Sequence, residues 1–347
     1  MQAVILAAGK STRTYPLTLT KPKPLLKVAN KTLLEHNLDC LNNIIDEAII
    51  IVGYKKDLIK KCIGIRHKNI KIRYAEQKKQ LGTGNALSIA EKHVKNEFIS
   101  LHGDDIYSEE DFRSIAKTKY SILVKKAENP SQFGAIIKKN DILLDIIEKP
   151  EKPVSTISNL VNTGLYKLDK KIFHIIRRLK KSKRNEYELT DAVKMLSKNH
   201  DVRCISSKNW LPIGYPWDLL NADISLRKNK NVIGKNSKIE GNIINSSIGD
   251  SCRIYGNVKN SIIMGNTFIG KGSVIEDSVI GKNVYFNGKA LAGNNVHSAV
   301  KGEWIMVDRL GAIIGDNVKA DNVMIKPGCK IWPNKSILNK YIKEDVK

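Results

Sequence analysis

The feature that most restricts how this chain can fold is a six-residue repeat in its C-terminal third. Ile233-Gly234…Ile239, Ile248-Gly249…Ile254, Ile269-Gly270…Ile275 and Ile280-Gly281…Phe286 each set two apolar residues six positions apart, with glycine after the first. After a gap the pattern returns at Ile314-Gly315…Ala320 and Ile325…Ile331. A short strand with one inward aliphatic and a small or polar corner cannot close a core by itself. Stacked copies bury a continuous one, so the repeat predicts a parallel β-helix built rung by rung. Interruptions are expected at shortened corners over 241–247 and 256–261, and as an insert over 287–311.

The preceding residues have a different grammar. Residues 3–8, AVILAA, have the length and branching of a buried strand that stops at Gly9. The polar loop that follows holds Arg13 and Lys23 among Pro16, Pro22 and Pro24, which stiffen it. A strand running into a glycine-containing loop with cations is a common way to hold a polyphosphate. It is not a P-loop, although Gly9-Lys10-Ser11-Thr12 supplies the ending, because the required earlier glycine is Val4. Strand-like and helix-like segments then alternate to about residue 206, as in a mostly parallel sheet covered by helices. The expected fold is α/β, a Rossmann-like domain over 1–228 followed by a β-helix over 229–347. Ligands of such sheets collect at the carboxyl ends of the strands, where Gly9, Gln77 and Asp104 would emerge. A carboxylate there suits Mg²⁺, which takes few protein ligands plus phosphate oxygens; Asp104 or Asp105 could equally cap the following turn.

Length and composition narrow the function. At 347 residues the chain accommodates two ordinary domains, and 41% apolar content supports real cores. No run is long enough to span a bilayer, and the N-terminal apolar run is too short for a signal peptide. Five scattered cysteines without C-x-x-C spacing favour a reducing cytoplasm and speak against zinc. The net charge of +24 comes mostly from lysines spread along the chain, while aromatics are only 6% and not interleaved with basic runs. That pattern favours a solvated surface and acidic small-molecule substrates over nucleic acid or membrane lipid.

Residues 6–25 resemble the signature of sugar-1-phosphate nucleotidylyltransferases, L-A-A-G-x-G-T-R-x-x-P-L-T-x-x-x-P-K-P-L. Here it reads Leu6-Ala7-Ala8-Gly9-Lys10-Ser11-Thr12-Arg13, Pro16-Leu17-Thr18 and Pro22-Lys23-Pro24-Leu25, with Ser11 in place of a second glycine. The resemblance implies that Arg13 and Lys23 are catalytic, that Leu6, Ala8, Gly9 and Gly103 line the nucleotide, and that Asp104 holds Mg²⁺. Gln77-Lys78-Lys79-Gln80-Leu81-Gly82-Thr83 is similar to the base-reading segment of N-acetylglucosamine-1-phosphate uridyltransferases, with Asn85 in place of their His. Carried over, Gln77, Gly82 and Thr83 read a pyrimidine; UTP and dTTP share the imide edge and are not separated. Thr83 could also cap the helix it opens. Phe133-Gly134, Glu148-Lys149-Pro150 and Asn162-Thr163-Gly164 resemble the sugar-phosphate side of that pocket. They imply Gly134, Glu148 and Asn162 on sugar oxygens and Lys149 on the phosphate. Residues 186–192, EYELTDA, resemble a family stretch that opens a helix and reads as structural.

Two departures stand out. Where relatives often carry a second metal ligand in W-x-D-x-G, this chain has Trp210-Leu211-Pro212-Ile213-Gly214. Asp105 or Asp218 could substitute, or Asp104 and phosphate could suffice. The repeats resemble the left-handed β-helix of acyltransferases, which commonly form trimers, so an oligomer is expected. Where bifunctional relatives place the acetyl-transfer base, a histidine, this chain has Lys271, an unsuitable base near neutral pH. The β-helix is therefore expected to be architectural. Two other readings are a bifunctional acetyl- and nucleotidylyltransferase, and a non-catalytic scaffold like the exchange-factor subunits of translation initiation.

Overall fold

The computed structural model describes residues 1–150 and 158–347. The chain divides into two compact units, Met1–Gly9 with Leu34–Pro212, and Lys10–Leu33 with Ile213–Lys347.

The first unit is built on a ten-stranded sheet. Its strands are β1 (Gln2–Ala7), β2 (Glu47–Val52), β3 (Ile70–Glu76), β4 (Phe98–His102), β5 (Ser121–Lys126), β6 (Gly134–Lys139), β7 (Ile142–Glu148), β8 (Leu160–Leu168) and β9 (Arg203–Ser206), with Arg66–His67 at one edge. From that edge the order is β3-β2-β1-β4-β8-β5-β9-β7-β6. The first four are parallel to one another, whereas β8 runs antiparallel to β4 and β5. β1 and β2 are buried along their whole length, as apolar strands covered on both faces must be. β3, nearer the edge, alternates buried Ile70 and Ile72 with exposed Lys71 and Arg73. Helices α1 (Leu33–Leu41), α2 (Lys56–Ile63), α3 (Thr83–Ser88), α4 (Glu109–Ala116), α5 (Lys171–Ile176) and α6 (Leu189–Ser197) accompany the sheet. On one face Leu87, Phe173 and Leu196 join Phe98 and Ile122 in a single core, with Phe98 and Phe173 stacked at 5.7 Å.

The second unit contains the repeats and the proline-rich loop. One column of strands, Val232–Ile233, Ser247–Ile248, Ile262–Ile263, Val279–Ile280, Ile313–Ile314 and Lys330–Ile331, is parallel throughout. A second column runs from Lys238–Ile239 through Arg253–Ile254 and Phe268–Ile269 to Tyr285–Ala290, Lys319–Ile325 and Ser336–Ile342. Ile248, Ile254, Ile269, Ile280, Phe286, Ile314 and Ile331 form its core, as the six-residue spacing predicts. The corners are polar ladders: Ser246 Oγ accepts from Ser261 N, and Ser261 Oγ from Ser278 N, each at 3.1 Å. Asn283, Asn317 and Asn334 link Nδ2 to Oδ1 at 2.9 Å from coil to coil.

Two expectations about interruptions change. Residues 241–247 and 256–261 are not shortened corners; they carry Ile243–Ile244 and Asn257–Lys259, paired in parallel as the third face of regular coils. The insert also begins later than expected. Tyr285–Ala290 is still a rung, and the added part is an antiparallel hairpin of Gly293–Val300 with Glu303–Leu310. A lone six-residue period does not report third-face strands whose apolar pairs sit off the main spacing.

The loop at Lys10–Leu33 is sewn to the repeats and to helix α7 (Asp218–Arg227). Lys21 Nζ contacts Asp316 at 2.6 Å and Thr20 Oγ1 donates to the same carboxylate at 2.7 Å. Asn30 Nδ2 donates to Ile248 O at 2.7 Å. The buried Asp223 carboxylate accepts from Ala29 N at 2.7 Å and Ser247 Oγ at 2.6 Å, and pairs with the buried Arg227 at 2.8 Å. Each of these buried ions is paired and hydrogen-bonded, as its burial requires. Among the described residues no helix is long and apolar enough to cross a membrane.

Candidate nucleotide and sugar-phosphate site

In the first unit the order β3-β2-β1-β4 means that the connections leave β1 in opposite directions on its two sides. The crevice outside the carboxyl ends of β1 and β4 is thus a topological switch point, the place where such sheets bind ligands. Leu6 and Ala8 are buried at the end of β1, and Gly9 is exposed just beyond. Gly103 follows β4 and donates its N–H to Leu6 O at 2.9 Å. A Cβ on Gly103 would lie 2.9 Å from Ile5 Cγ2, so the close approach of the two strand ends depends on glycine. Asp104 comes next and is partly buried.

The segment after β3 is folded onto the same edge. Ala8 O accepts from Gln80 Nε2 at 2.8 Å and from Tyr54 N at 3.1 Å. Gln77 is buried, and its Nε2 donates to Asn85 Oδ1 at 3.0 Å and Gly82 O at 3.2 Å, which orients the amide. Gly82, at φ 103°, and Gly84 press against the Tyr187 backbone, with Gly84 N donating to Tyr187 O and Tyr187 N to Leu81 O, both at 2.8 Å. Thr83 does not cap its own helix. Its hydroxyl accepts from Leu189 N at 3.0 Å, satisfying a first-turn N–H of α6 instead. The EYELTDA stretch is therefore structural, as expected, but structural for the Gln77–Thr83 turn itself.

On the other arm of the sheet, antiparallel pairing sets Glu148 opposite Gly134. A Cβ on Gly134 would meet Glu148 Oε2 at 3.1 Å and Asn162 Cβ at 3.6 Å, so these three residues share one spot. Asn162 is buried, donates from Nδ2 to Tyr166 Oη at 2.6 Å and accepts from Gly164 N at 2.9 Å. β8 bulges between Asn162 and Tyr166, and Gly164 lies against the His102 ring at the end of β4. The bulge is pinned by Tyr107 Oη donating to Thr163 O at 2.7 Å. Glu148 accepts from Arg184 at 3.3 Å and from Thr190 Oγ1 at 3.4 Å. Burial pushes its carboxyl above the ordinary range and Glu188 adds to this, with Arg184 opposing. Lys149 is exposed, at φ 44°, and donates its N–H to Phe133 O at 3.0 Å. Arg184, Thr190 and Tyr166 were not singled out from sequence; only the EYELTDA resemblance pointed at any of them.

The departure at Pro212 lies in this unit. Leu211 and Ile106 exchange backbone hydrogen bonds at 2.9 and 3.1 Å, and Trp210 Nε1 donates to Asp105 Oδ2 at 3.2 Å. Asp105 thus orients an indole. Asp218, in the other unit, accepts at Oδ2 from Gly214 N at 2.6 Å and Tyr215 N at 2.7 Å, holding a turn. Among the described residues no group of three or more His, Cys, Asp or Glu side chains gathers to hold a metal ion. A single carboxylate at a strand end, Asp104, still fits a Mg²⁺ that takes most of its ligands from phosphate and water.

In the second unit Arg13 is exposed on a single 3₁₀ turn, Thr12–Thr14, with its guanidinium 5.6 Å from the Tyr215 ring centre. Lys23 opens another 3₁₀ turn, Lys23–Leu25, and is buried. Ser11 adopts the left-handed conformation, φ 50° and ψ 58°, that the family's glycine would take without cost. Its carbonyl accepts from Thr14 Oγ1 at 2.8 Å and Thr18 Oγ1 at 2.9 Å, and these bonds hold the serine there.

A strand-end crevice at the switch point of a Rossmann-like sheet defines an α/β protein of the ligand-binding, doubly wound class. Comparison with known proteins makes this specific: the nucleotidyl transferase model matches residues 2–229, and the chain belongs to that family. Over 403 aligned positions it is 36% identical to the bifunctional protein GlmU of Methanococcus maripaludis (strain C5), covering all of this chain and 95% of that one. Since 403 − 347 = 56, at least 56 positions of that alignment have no counterpart here. It is 31% identical to the bifunctional sugar-1-phosphate nucleotidylyltransferase/acetyltransferase of Sulfurisphaera tokodaii (strain 7), over 95% of this chain and 94% of the relative. Among solved structures, UDP-glucose pyrophosphorylase complexed with UDP-glucose shares the fold at a TM-score of 0.60 and 21% identity, over 66% of this chain and 99% of that one.

Proposed function

We propose that this enzyme transfers a nucleotidyl group from UTP or dTTP to a hexose or N-acetylhexosamine 1-phosphate, giving a nucleotide sugar and pyrophosphate. The family match over residues 2–229 carries the reading. It is supported by two groups of residues in the first unit, Gln77 with Gly82, and Gly134 with Glu148 and Asn162.

The base rests against the turn at Gln77–Thr83. With Gln77 Nε2 engaged by Gly82 O and Asn85, its Oε1 is the atom left to accept the imide N–H of uracil or thymine. The sugar lies over Gly134, whose lack of a side chain leaves room, with Glu148 accepting from sugar hydroxyls and Asn162 donating to a sugar oxygen. Lys149 holds the sugar phosphate, which is already ionised and requires no base. One of its oxygens attacks the α-phosphorus in line; the new P–O bond forms as the bond to the β-phosphate oxygen breaks, and pyrophosphate carries away the electron pair. Catalysis of this kind is positioning and charge neutralisation. Arg13 and Lys23 stabilise the charge on the departing pyrophosphate. Asp104 would hold Mg²⁺, which when bound neutralises further charge on the triphosphate.

The functional division falls at 1–228 and 229–347. The β-helix winds left-handed and assembles as a trimer in a reducing cytoplasm, in keeping with five cysteines scattered without C-x-x-C spacing. Its role is architectural: Lys271, where the acetyl-transfer histidine is expected, is an exposed surface lysine. Supplying acetyl-CoA and glucosamine 1-phosphate should yield no N-acetylated product, and accumulation of that product would establish a second activity. For the main reading, pyrophosphate release is measured over the four NTPs and dTTP against several sugar 1-phosphates. Release with UTP or dTTP and a hexose phosphate is expected; release with purine nucleotides alone would refute the base assignment.

A further inference from the structure

The hairpin Gly293–Val300/Glu303–Leu310 belongs to no coil of the β-helix. In the first column the strands begin at 232, 247, 262, 279, 313 and 330, intervals of 15, 15, 17, 34 and 17, and the hairpin occupies the long one. It is rigidly mounted. Ser298 Oγ donates to Gly328 O at 2.8 Å, Arg309 Nε reaches Asp277 at 2.9 Å, and the buried Lys330 ammonium donates to Ala299 O. Strand pairing closes at Val300 with Glu303, leaving a two-residue tip, Lys301-Gly302, both at positive φ. That is the tight turn whose twist matches the strands it joins, so the tip is held as firmly as the arms.

The tip meets the loop that bears Arg13. Arg13, Lys301, Lys330 and Lys347 line one open cavity of about 310 Å³ together with Trp332 and the Asp345 side chain. Four side-chain cations against one side-chain carboxylate is an imbalance that a small polyanion would correct. Lys301 is exposed and in no ion pair among the described residues, whereas Lys330 is committed to Ala299. The hairpin thus brings one uncommitted ammonium to Arg13.

We propose that the hairpin is a functional arm of the β-helix, and that Lys301 binds pyrophosphate, as leaving group or as substrate of the reverse reaction, together with Arg13. This rests on the nucleotidyl-transfer reading for its ligand, but the cavity is observed independently. The β-helix, architectural in the sense that it carries no acetyl transfer, then also contributes a phosphate-binding side chain to the reaction.

The test uses the full chain as wild type, Lys301→Ala, Lys301→Arg, and Lys259→Ala as an exposed control outside the cavity. Calorimetric titration with inorganic pyrophosphate should show affinity reduced about tenfold in Lys301→Ala, the effect of losing one charge-assisted hydrogen bond. Lys301→Arg should restore it and Lys259→Ala should leave it unchanged. In the reverse reaction KM for pyrophosphate should rise in Lys301→Ala while KM for the nucleotide sugar holds. Equal pyrophosphate affinity in Lys301→Ala and wild type, or no binding by wild type, would overturn the proposal. Binding that depends on Lys301 in a protein that turns over no nucleotide would uphold the cavity and refute the proposed reaction instead.

Discussion

Thr18 Oγ1 donates to Ser11 O at 2.9 Å and lies 3.1 Å from Thr14 Oγ1, which donates to the same carbonyl. This threonine pair explains how a serine occupies a left-handed position where glycine is usual. A non-glycine residue there carries strain of about 1 kcal/mol or more, and the two buried hydroxyls offset it. Thr18→Val should lower stability by about 0.5–1.5 kcal/mol, since Ser11 O loses one of its donors and keeps those of Thr14. Ser11→Gly should fold and react like wild type. Urea unfolding midpoints check both; a Thr18→Val midpoint equal to wild type would show that the hydroxyl does not hold the turn.

Gly103 packs its backbone on Ile5 and Leu6, with no space for a Cβ. Gly103→Ala should therefore separate the ends of β1 and β4, at a cost of about 1–3 kcal/mol, and reduce nucleotide affinity along with stability. Denaturant unfolding with and without bound nucleotide measures the two effects. An alanine that left both intact would mean the strand ends tolerate wider spacing.

Glu148 offers a prediction in pH. Its carboxyl is raised by burial first, so the folded state binds the proton more tightly than the unfolded state. Stability associated with the protonated form is present below the unfolded carboxyl's pKa and is lost as pH rises through the folded value. The ionised Glu148 thus destabilises the protein at neutral pH. Glu148→Gln should raise the thermal midpoint at pH 7 to 8, with the gain shrinking toward acid, while KM for the sugar 1-phosphate rises. A midpoint that falls at neutral pH would show that Arg184 and Thr190 outweigh burial.

Much of the fold can be read from pattern because periodicity reports burial directly. The six-residue spacing marked the β-helix through Ile248, Ile254, Ile269 and Phe286, and continuous apolar runs marked β1 and β2. The third face of the coils was not legible, because pairs such as Ile243–Ile244 lie off that spacing. In the candidate site, Gln77, Glu148 and Asn162 lie in local motifs, whereas Arg184, Thr190 and Tyr166 meet them through contacts made only after the strands pair. That Thr83 Oγ1 accepts from Leu189 N and does not cap its own helix was hidden for the same reason, because Leu189 is distant in sequence. Nothing local indicated that the Arg13 loop would be braced by Asp316 and Asp223.

The most direct measurement is pyrophosphate release by the full chain supplied with Mg²⁺, UTP or dTTP, and glucose 1-phosphate or N-acetylglucosamine 1-phosphate. Wild type should release pyrophosphate only when both substrates are present, and Lys23→Ala and Arg13→Ala should each slow turnover by about 100-fold, the scale of losing one charge-stabilising group. No release with any pairing, or near-wild-type rates in both variants, would contradict the account.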